Sequence, residues 1–357
     1  LCLSVSVGVF LYVVRSPCRL RNYCVSVLLL GYDILLVSQI VDDLVFFLMI
    51  RRPPRSTLDR SSAASDVYKR QAYELYDTRT NTRRVEKLEL VNAIRERVDA
   101  WRDAGWPGVT SVTRQLLEHW RERGEWDSEG KCWVGGPRQY PFYFCQLEAI
   151  ESLIWWLEAP QDHKQGIFLQ GDGGPWERIC SKMATGSGKT TLMGMIITWQ
   201  ALNAMMFPRE TKRFSKAIFI VAPGITVRDR LQVLMPGDER NVYDEFVLCP
   251  TAAMRQKLNG AVILNENWHS LMPLKQSERS VVKKGQESDK AFVRRVLGPL
   301  AAHKDIIVIN DEAHHCYRRK PDGEEERLKG DERREAQKRE EEARVWISGI
   351  EAIKNKI

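Results

Sequence analysis

The string Met183-Ala-Thr-Gly-Ser-Gly-Lys-Thr190 constrains this chain more than any other. Gly186, Ser187 and Gly188 let a backbone turn tightly and aim several N–H groups at one anion. The apolar approach through Ile179, Cys180, Met183 and Ala184 has the pattern of a short buried strand. The run from Leu192 to Asn203 reads as a helix. A helix N-terminus adds roughly half a positive charge where the N–H groups converge. In such a cradle, built from Thr185, Gly186, Ser187, Gly188, Lys189 and Thr190, Lys189 reaches the β- and γ-phosphates of a nucleotide and the Thr190 hydroxyl ligates Mg²⁺. The strict template G-x-x-x-x-G-K-[ST] has glycine where this chain has Met183.

A second string, Ile306-Ile-Val-Ile-Asn-Asp-Glu-Ala-His-His315, follows about 120 residues later. Its apolar run predicts a buried strand that delivers Asp311 to the carboxyl edge of a parallel sheet, where open α/β sheets bind ligands. Asp311 is the candidate Mg²⁺ partner, through water, because magnesium keeps several waters. Glu312 can orient or deprotonate an attacking water. His314 is placed to sense the γ-phosphate and couple it to a neighbouring domain. Lys189, Asp311, Glu312 and His314 are thus the candidate catalytic residues, Thr190 and Asp311 the candidate metal ligands, and ATP with Mg²⁺ the expected cofactors.

The two strings together resemble motifs I and II of superfamily 2 helicases and translocases, and the form of the first is similar to that of restriction-enzyme motor subunits. From about Ala72 onward the chain resembles the R (Res) subunit of type III restriction enzymes. The resemblance implies a RecA-like parallel sheet with helices on both faces, the first of two helicase lobes, preceded by a short helical region. It also implies further roles. Gln146, in Phe144-Cys-Gln-Leu-Glu-Ala-Ile150, stands where such proteins place an adenine-reading glutamine. Thr226 and Arg228, after the strand and Pro-Gly turn of Ala217-Ile-Phe-Ile-Val-Ala-Pro-Gly, stand where a further motif contacts the nucleic-acid backbone. Asn267-Trp268-His269 reads better as a packed tryptophan behind a capping asparagine than as a DNA-facing loop.

Residues 1–71 have a different character. Leu48-Met-Ile-Arg-Arg-Pro-Pro-Arg-Ser-Thr57 is an in-frame translation of a common short-read sequencing adapter, and the end of Ser61-Ser-Ala-Ala-Ser-Asp-Val-Tyr-Lys-Arg-Gln71 matches a transposase mosaic end. Residues 48–71 are therefore read as library-derived scar and residues 1–47 as unrelated joined sequence, both excluded from fold reasoning. The apolar runs before residue 50 are interrupted by Arg15, Arg19, Arg21, Asp33, Asp42 and Asp43, which leaves no clean span of about 20 apolar residues. No membrane anchor is expected, and the location expected is cytoplasmic. The formal charge of +7 also shrinks, because residues 1–71 hold nine of the 54 Lys/Arg and five of the 47 Asp/Glu, leaving about +3. Net charge is then no argument for nucleic acid, and DNA as a partner rests on the motifs. The scattered cysteines contain no C-x-x-C pair, and His314, His315 and Cys316 are chain neighbours that do not make a zinc site.

Past the scar, residues 72–140 are expected to form a helical region packed on the motor, with apolar residues at three- and four-residue steps over 83–123 and a break at Gly105-Trp-Pro-Gly108. Residues 124–140 read as loop. Residues 141–357 are expected to form the RecA-like domain, with strands at 179–184, 217–222, 246–249, 261–264 and 306–310 alternating with helices. The highly charged stretch 318–344 reads as a solvated insertion, after which Trp346, Ile350 and Ile353 bring a last helix back to the core. In the resembled family a second lobe with an arginine finger and a nuclease domain would follow. This chain is thus expected to be a truncated first lobe, poorly active by itself.

The function expected is an ATP-driven DNA translocase motor from a restriction system, whose modification partner is a methyltransferase subunit. Two alternatives stand beside it: a helicase of DNA repair or RNA metabolism, which shares Asp-Glu-Ala-His, and a non-catalytic nucleotide-gated binding fragment.

Overall fold

The computed structural model describes residues 6–14, 24–30, 45–47, 72–77, 82–130, 132–169, 179–183, 186–209, 213–272, 287–311 and 331–354. Three strands come first: β1 (Ser6–Val14), β2 (Cys24–Leu30) and β3 (Val45–Phe47). Next is a hairpin of β4 (Ala72–Asp77) and β5 (Thr82–Lys87), then helices α1 (Glu89–Asp103) and α2 (Ser111–Arg121), and a small hairpin of β6 (Glu125–Asp127) and β7 (Cys132–Val134). The remainder alternates: α3 (Phe144–Glu158), β8 (Ile179–Lys182), α4 (Lys189–Met206), β9 (Ala217–Ala222), α5 (Ile225–Arg230), α6 (Val242–Glu245), α7 (Ala252–Leu258), β10 (Val262–Asn267), α8 (Asp289–Leu297), β11 (Ile306–Asp311) and α9 (Asp331–Lys354).

Seven strands form one sheet in the order β10-β9-β11-β1-β2-β8-β3. β9 pairs in parallel with both β10 and β11, so three of the sequence-expected strands lie side by side. β1 is antiparallel to β11 and to β2, and β2 is parallel to β8. Two reversals restore direction, so β8 and β11 run the same way and their carboxyl ends share one edge of the sheet. The parallel arrangement expected is present in β10-β9-β11, with β8 running the same way, and the antiparallel pair β1 and β2 stands between β11 and β8.

Both faces of the sheet are covered, as the all-buried strands β9 and β11 require. Along β9, Ile218, Ile220 and Ala222 face the core under α1 to α4, whereas Ala217, Phe219 and Val221 face a second core under α8 and α9. Ile307 and Ile309 of β11 join the first core, and Ile306 and Val308 the second. This is the period of two of a strand buried on both sides. α4 runs through the first core and is buried without interruption from Thr191 to Asn203, which is why its sequence shows no polar face.

Three local expectations are corrected. Residues 83–87 are a strand of the β4–β5 hairpin, and the helical period begins at Glu89. Residues 124–140, expected as loop, contain the β6–β7 hairpin, where Trp126 and Trp133 meet edge to face at 5.6 Å. Residues 246–249 are a turn and not a strand. Val247 has φ 47°, and the carbonyls of the segment are taken from outside any sheet. His119 Nε2 lies 2.7 Å from the Val247 oxygen, Trp120 Nε1 donates to Leu248 at 2.9 Å and Arg138 Nε donates to Phe246 at 3.4 Å. An apolar run of four residues does not distinguish a strand from a buried turn.

Helices α1 and α2 pack on the first face of the sheet. Trp101, Leu116 and Trp120 belong to the same core as α4. On the other face, Trp346, Ile350 and Ile353 of α9 are buried as expected, and Trp346 donates its indole N–H to Asn310 Oδ1 at 3.2 Å. Trp268 is likewise a packed residue, 5% exposed and stacked at 6.4 Å on Trp346.

Candidate functional site

The site begins with the turn between β8 and α4. Met183, where strict phosphate loops have glycine, is fully buried in the first core, so the position serves packing in this chain. Gly186 and Gly188 have φ of 76° and 79°, the left-handed region that glycine enters without strain. Gly188 is the N-cap of α4, which directs the helix's unsatisfied N–H groups toward the loop. The Gly188 carbonyl accepts the first helical bond, from Leu192 N–H at 3.1 Å. Lys189 and Thr190, in the first turn, are half-buried. Ala184 and Thr185 lie outside the described residues.

Asp311 is the last residue of β11, directly after Asn310, which pairs with Val221 of β9. Lys189 Nζ stands 3.8 Å from Asp311 Oδ1, with the two side chains 15% and 8% exposed. The sequence-expected pair is thus brought together across an interval of about 120 residues. Oδ1 of Asp311 is buried and makes no hydrogen bond. Burial raises the carboxyl from its ordinary 3.8 to about 6, against the opposing pull of the positive charges of Lys189 and Arg230. A carboxylate oxygen that is buried, unbonded and beside a lysine suits a cation with an incomplete protein shell. Magnesium held by a single carboxylate, a hydroxyl and phosphate oxygens needs no cluster of acidic side chains, and none of three or more His, Cys, Asp or Glu exists among the described residues. Asp311, with Thr190 at the start of α4, fits that requirement.

The other candidates fall unevenly. Gln146 lies against the phosphate loop, with both ends of its amide engaged. Oε1 accepts from Tyr143 N–H at 2.8 Å, and Nε2 donates to the Gly188 carbonyl at 3.3 Å. Thr226 and Arg228 sit in the first turns of α5, on the edge where β9 ends; Thr226 is exposed and Arg228 pairs with its neighbour Asp229 at 2.8 Å. Glu312 and His314 lie outside the described residues. Sequence reading missed Arg230, whose charge acts on Asp311, and Asn265, whose Nδ2 holds the Arg228 carbonyl at 2.7 Å and so fixes α5 to β10. A signal for Arg230 existed: it follows Thr226 by four residues, one helical turn.

The family described as "Type III restriction enzyme, res subunit" matches residues 139–329, more than half of the chain. This chain belongs to that family. Its matched region is accordingly a RecA-like, helicase-type ATP-binding motor domain, and the class of activity is that of the ATP hydrolases of the family. No match was found among curated proteins or among solved structures. Among the described residues, no helix is long and apolar enough to cross a membrane.

Proposed function

We propose that the chain binds Mg–ATP on Gly186–Thr190 and Asp311 and hydrolyses it to move along DNA, as the motor of a type III-like restriction system with a methyltransferase partner. The observation that carries this reading is the 3.8 Å approach of Lys189 Nζ to an Asp311 carboxylate that has an unbonded, buried oxygen. Bound magnesium would neutralise charge on the β- and γ-phosphates and on the oxygens of the reacting group. Lys189 adds a second positive charge at the γ end. The N-terminal amides of α4 hold the phosphates through fixed dipoles that need no reorganisation during reaction. Glu312, next along the chain from Asp311, orients and deprotonates the attacking water, and His314 relays the state of the γ-phosphate. Thr226 and Arg228 contact the DNA backbone from the same sheet edge, so nucleotide and DNA would meet across α5.

The test is titration of the full chain with a fluorescent ATP analogue, with and without Mg²⁺. Lys189→Ala is expected to weaken binding at least about tenfold, equivalent to about 1.4 kcal/mol. Asp311→Asn is expected to leave metal-free binding intact while removing its enhancement by Mg²⁺. Unchanged binding in both variants would sink the reading. Stimulation by duplex DNA, but not by single strands or RNA, separates a restriction motor from a helicase of repair or RNA metabolism.

A further inference from the structure

The end of β11 is anchored from both faces of the sheet. Ile307 and Ile309 face the core around α4, and by the period of two Asp311 turns the same way, toward Lys189 at the start of α4. Ile306 and Val308 face the second core, and Asn310 follows them. Asn310 is fully buried, and its Oδ1 accepts the indole N–H of Trp346 from α9 at 3.2 Å. That bond lies on the face opposite the phosphate loop, one residue before the carboxylate, where the ladder between β11 and β9 also ends. Trp346 is itself held. It is 1% exposed, and its ring lies within 10° of parallel to that of Trp268 with centroids 6.4 Å apart, the offset stack that aromatic pairs favour. Further along α9, a Cβ placed on Gly349 would meet Leu271 Cβ at 2.7 Å, so the helix lies tight against the loop that carries Trp268. Arg295 fixes the same loop through the carbonyls of Ser270 and Met272, each at 3.0 Å. The indole donor thus reaches Asn310 from a rigid support, and α9 lies beyond residues 139–329, the span that matches the family.

We infer that Trp346 is a positioning residue for Asp311, acting through Asn310 from the back of the sheet. Magnesium demands near-ideal octahedral geometry, so a carboxylate that serves it tolerates little displacement. The contacts of a triphosphate with the phosphate loop and Lys189 do not pass through β11, so the bond from Trp346 bears on the metal-dependent part of binding. The inference rests on the nucleotide-binding reading above, but part of its test does not.

Two variants of the full chain and two measurements decide it. Trp346→Phe keeps a ring against Trp268 and removes the donor, whereas Asn310→Leu removes the acceptor at similar volume. The Mg²⁺ concentration that half-saturates the enhancement of fluorescent ATP-analogue binding should rise about fivefold in either variant, the scale of one buried neutral hydrogen bond, with metal-free binding unchanged. The double variant should do no worse than either single one, since all three lack the same bond. Additive losses, or an equal loss with and without metal, would overturn the inference. In the unliganded protein, amide hydrogen exchange at 309–311 should accelerate in both variants while β9 and α4 stay protected. A variant that also loses protection in β9 and α4 has lost the fold, and the other single variant then carries both measurements. Unchanged exchange at 309–311 overturns the inference even if the wild-type chain binds no triphosphate, an outcome that would separately defeat the proposed function.

Discussion

Burial of the Asp311 carboxyl costs the protein stability once that group ionises. Its folded carboxyl titrates near 6 and its unfolded one near 3.8, so between these values the folded chain keeps a proton that the unfolded chain has released. Stability from this group is therefore highest below about pH 4 and declines as pH rises through 6, after which the penalty is complete. Asp311→Asn removes the buried charge. Urea unfolding in a chelator should show the variant more stable than wild type at pH 7.5, by an amount on the order of 1–3 kcal/mol, and equal to it at pH 4. A gain of the same size at both pH values would mean that the carboxylate is not held in a penalised state. Gly188 is the complementary case: only glycine suits both its φ of 79° and the proximity of Gln146.

Among the elements, α2, α3 and α4 are joined by one buried carboxylate. Glu158 accepts from Trp199 Nε1 at 2.6 Å and Thr113 Oγ1 at 2.8 Å through one oxygen, and from Thr110 N–H at 3.1 Å and Arg213 at 3.3 Å through the other. Burial raises its pKa despite these donors. Asn203 Nδ2 adds a bond to Thr113 at 3.0 Å. The helical lead-in is thus part of the motor's fold. Glu158→Ala leaves two buried donors without partners and should lower stability by about 3–5 kcal/mol. Glu158→Gln keeps at least one acceptor and should lose about half as much or less, as thermal and urea unfolding would show. Equal losses would assign the effect to charge and not to hydrogen bonding. A parallel network ties Glu151 to Arg102 at 3.0 Å and to Arg121 Nη2 at 2.6 Å.

In the whole molecule, the sheet joins segments of different character. β1 and β2 come from the stretch read as joined sequence, yet they bridge β11 and β8, whose open edges offer main-chain donors and acceptors to any extended apolar segment. That ladder is blind to side-chain identity, so a place in the sheet does not testify to common origin with residues beyond 71. If the adapter reading is right, amplification of the source DNA between the codons of 1–47 and those beyond 72 should yield no product. A product of the length this chain implies would refute it.

The sequence alone marked the candidate residues for phosphate chemistry, because the proposed roles of Gly186–Thr190 and Asp311 need particular atoms at particular chain positions, and no burial pattern substitutes for them. It also marked β9, β11 and α4 by their apolar runs, and the return of Trp346 to the core. Tertiary structure decided the rest. The turn at 246–249 exists because His119, Trp120 and Arg138 claim its carbonyls from more than 100 residues away. Gln146 lies against the loop because Gly188 and Tyr143 converge on its amide. Arg230 acts on Asp311 because α5 begins just past the end of β9. Hydrogen bonds and charges between distant segments leave no period in a sequence, since what fixes them is distance in space.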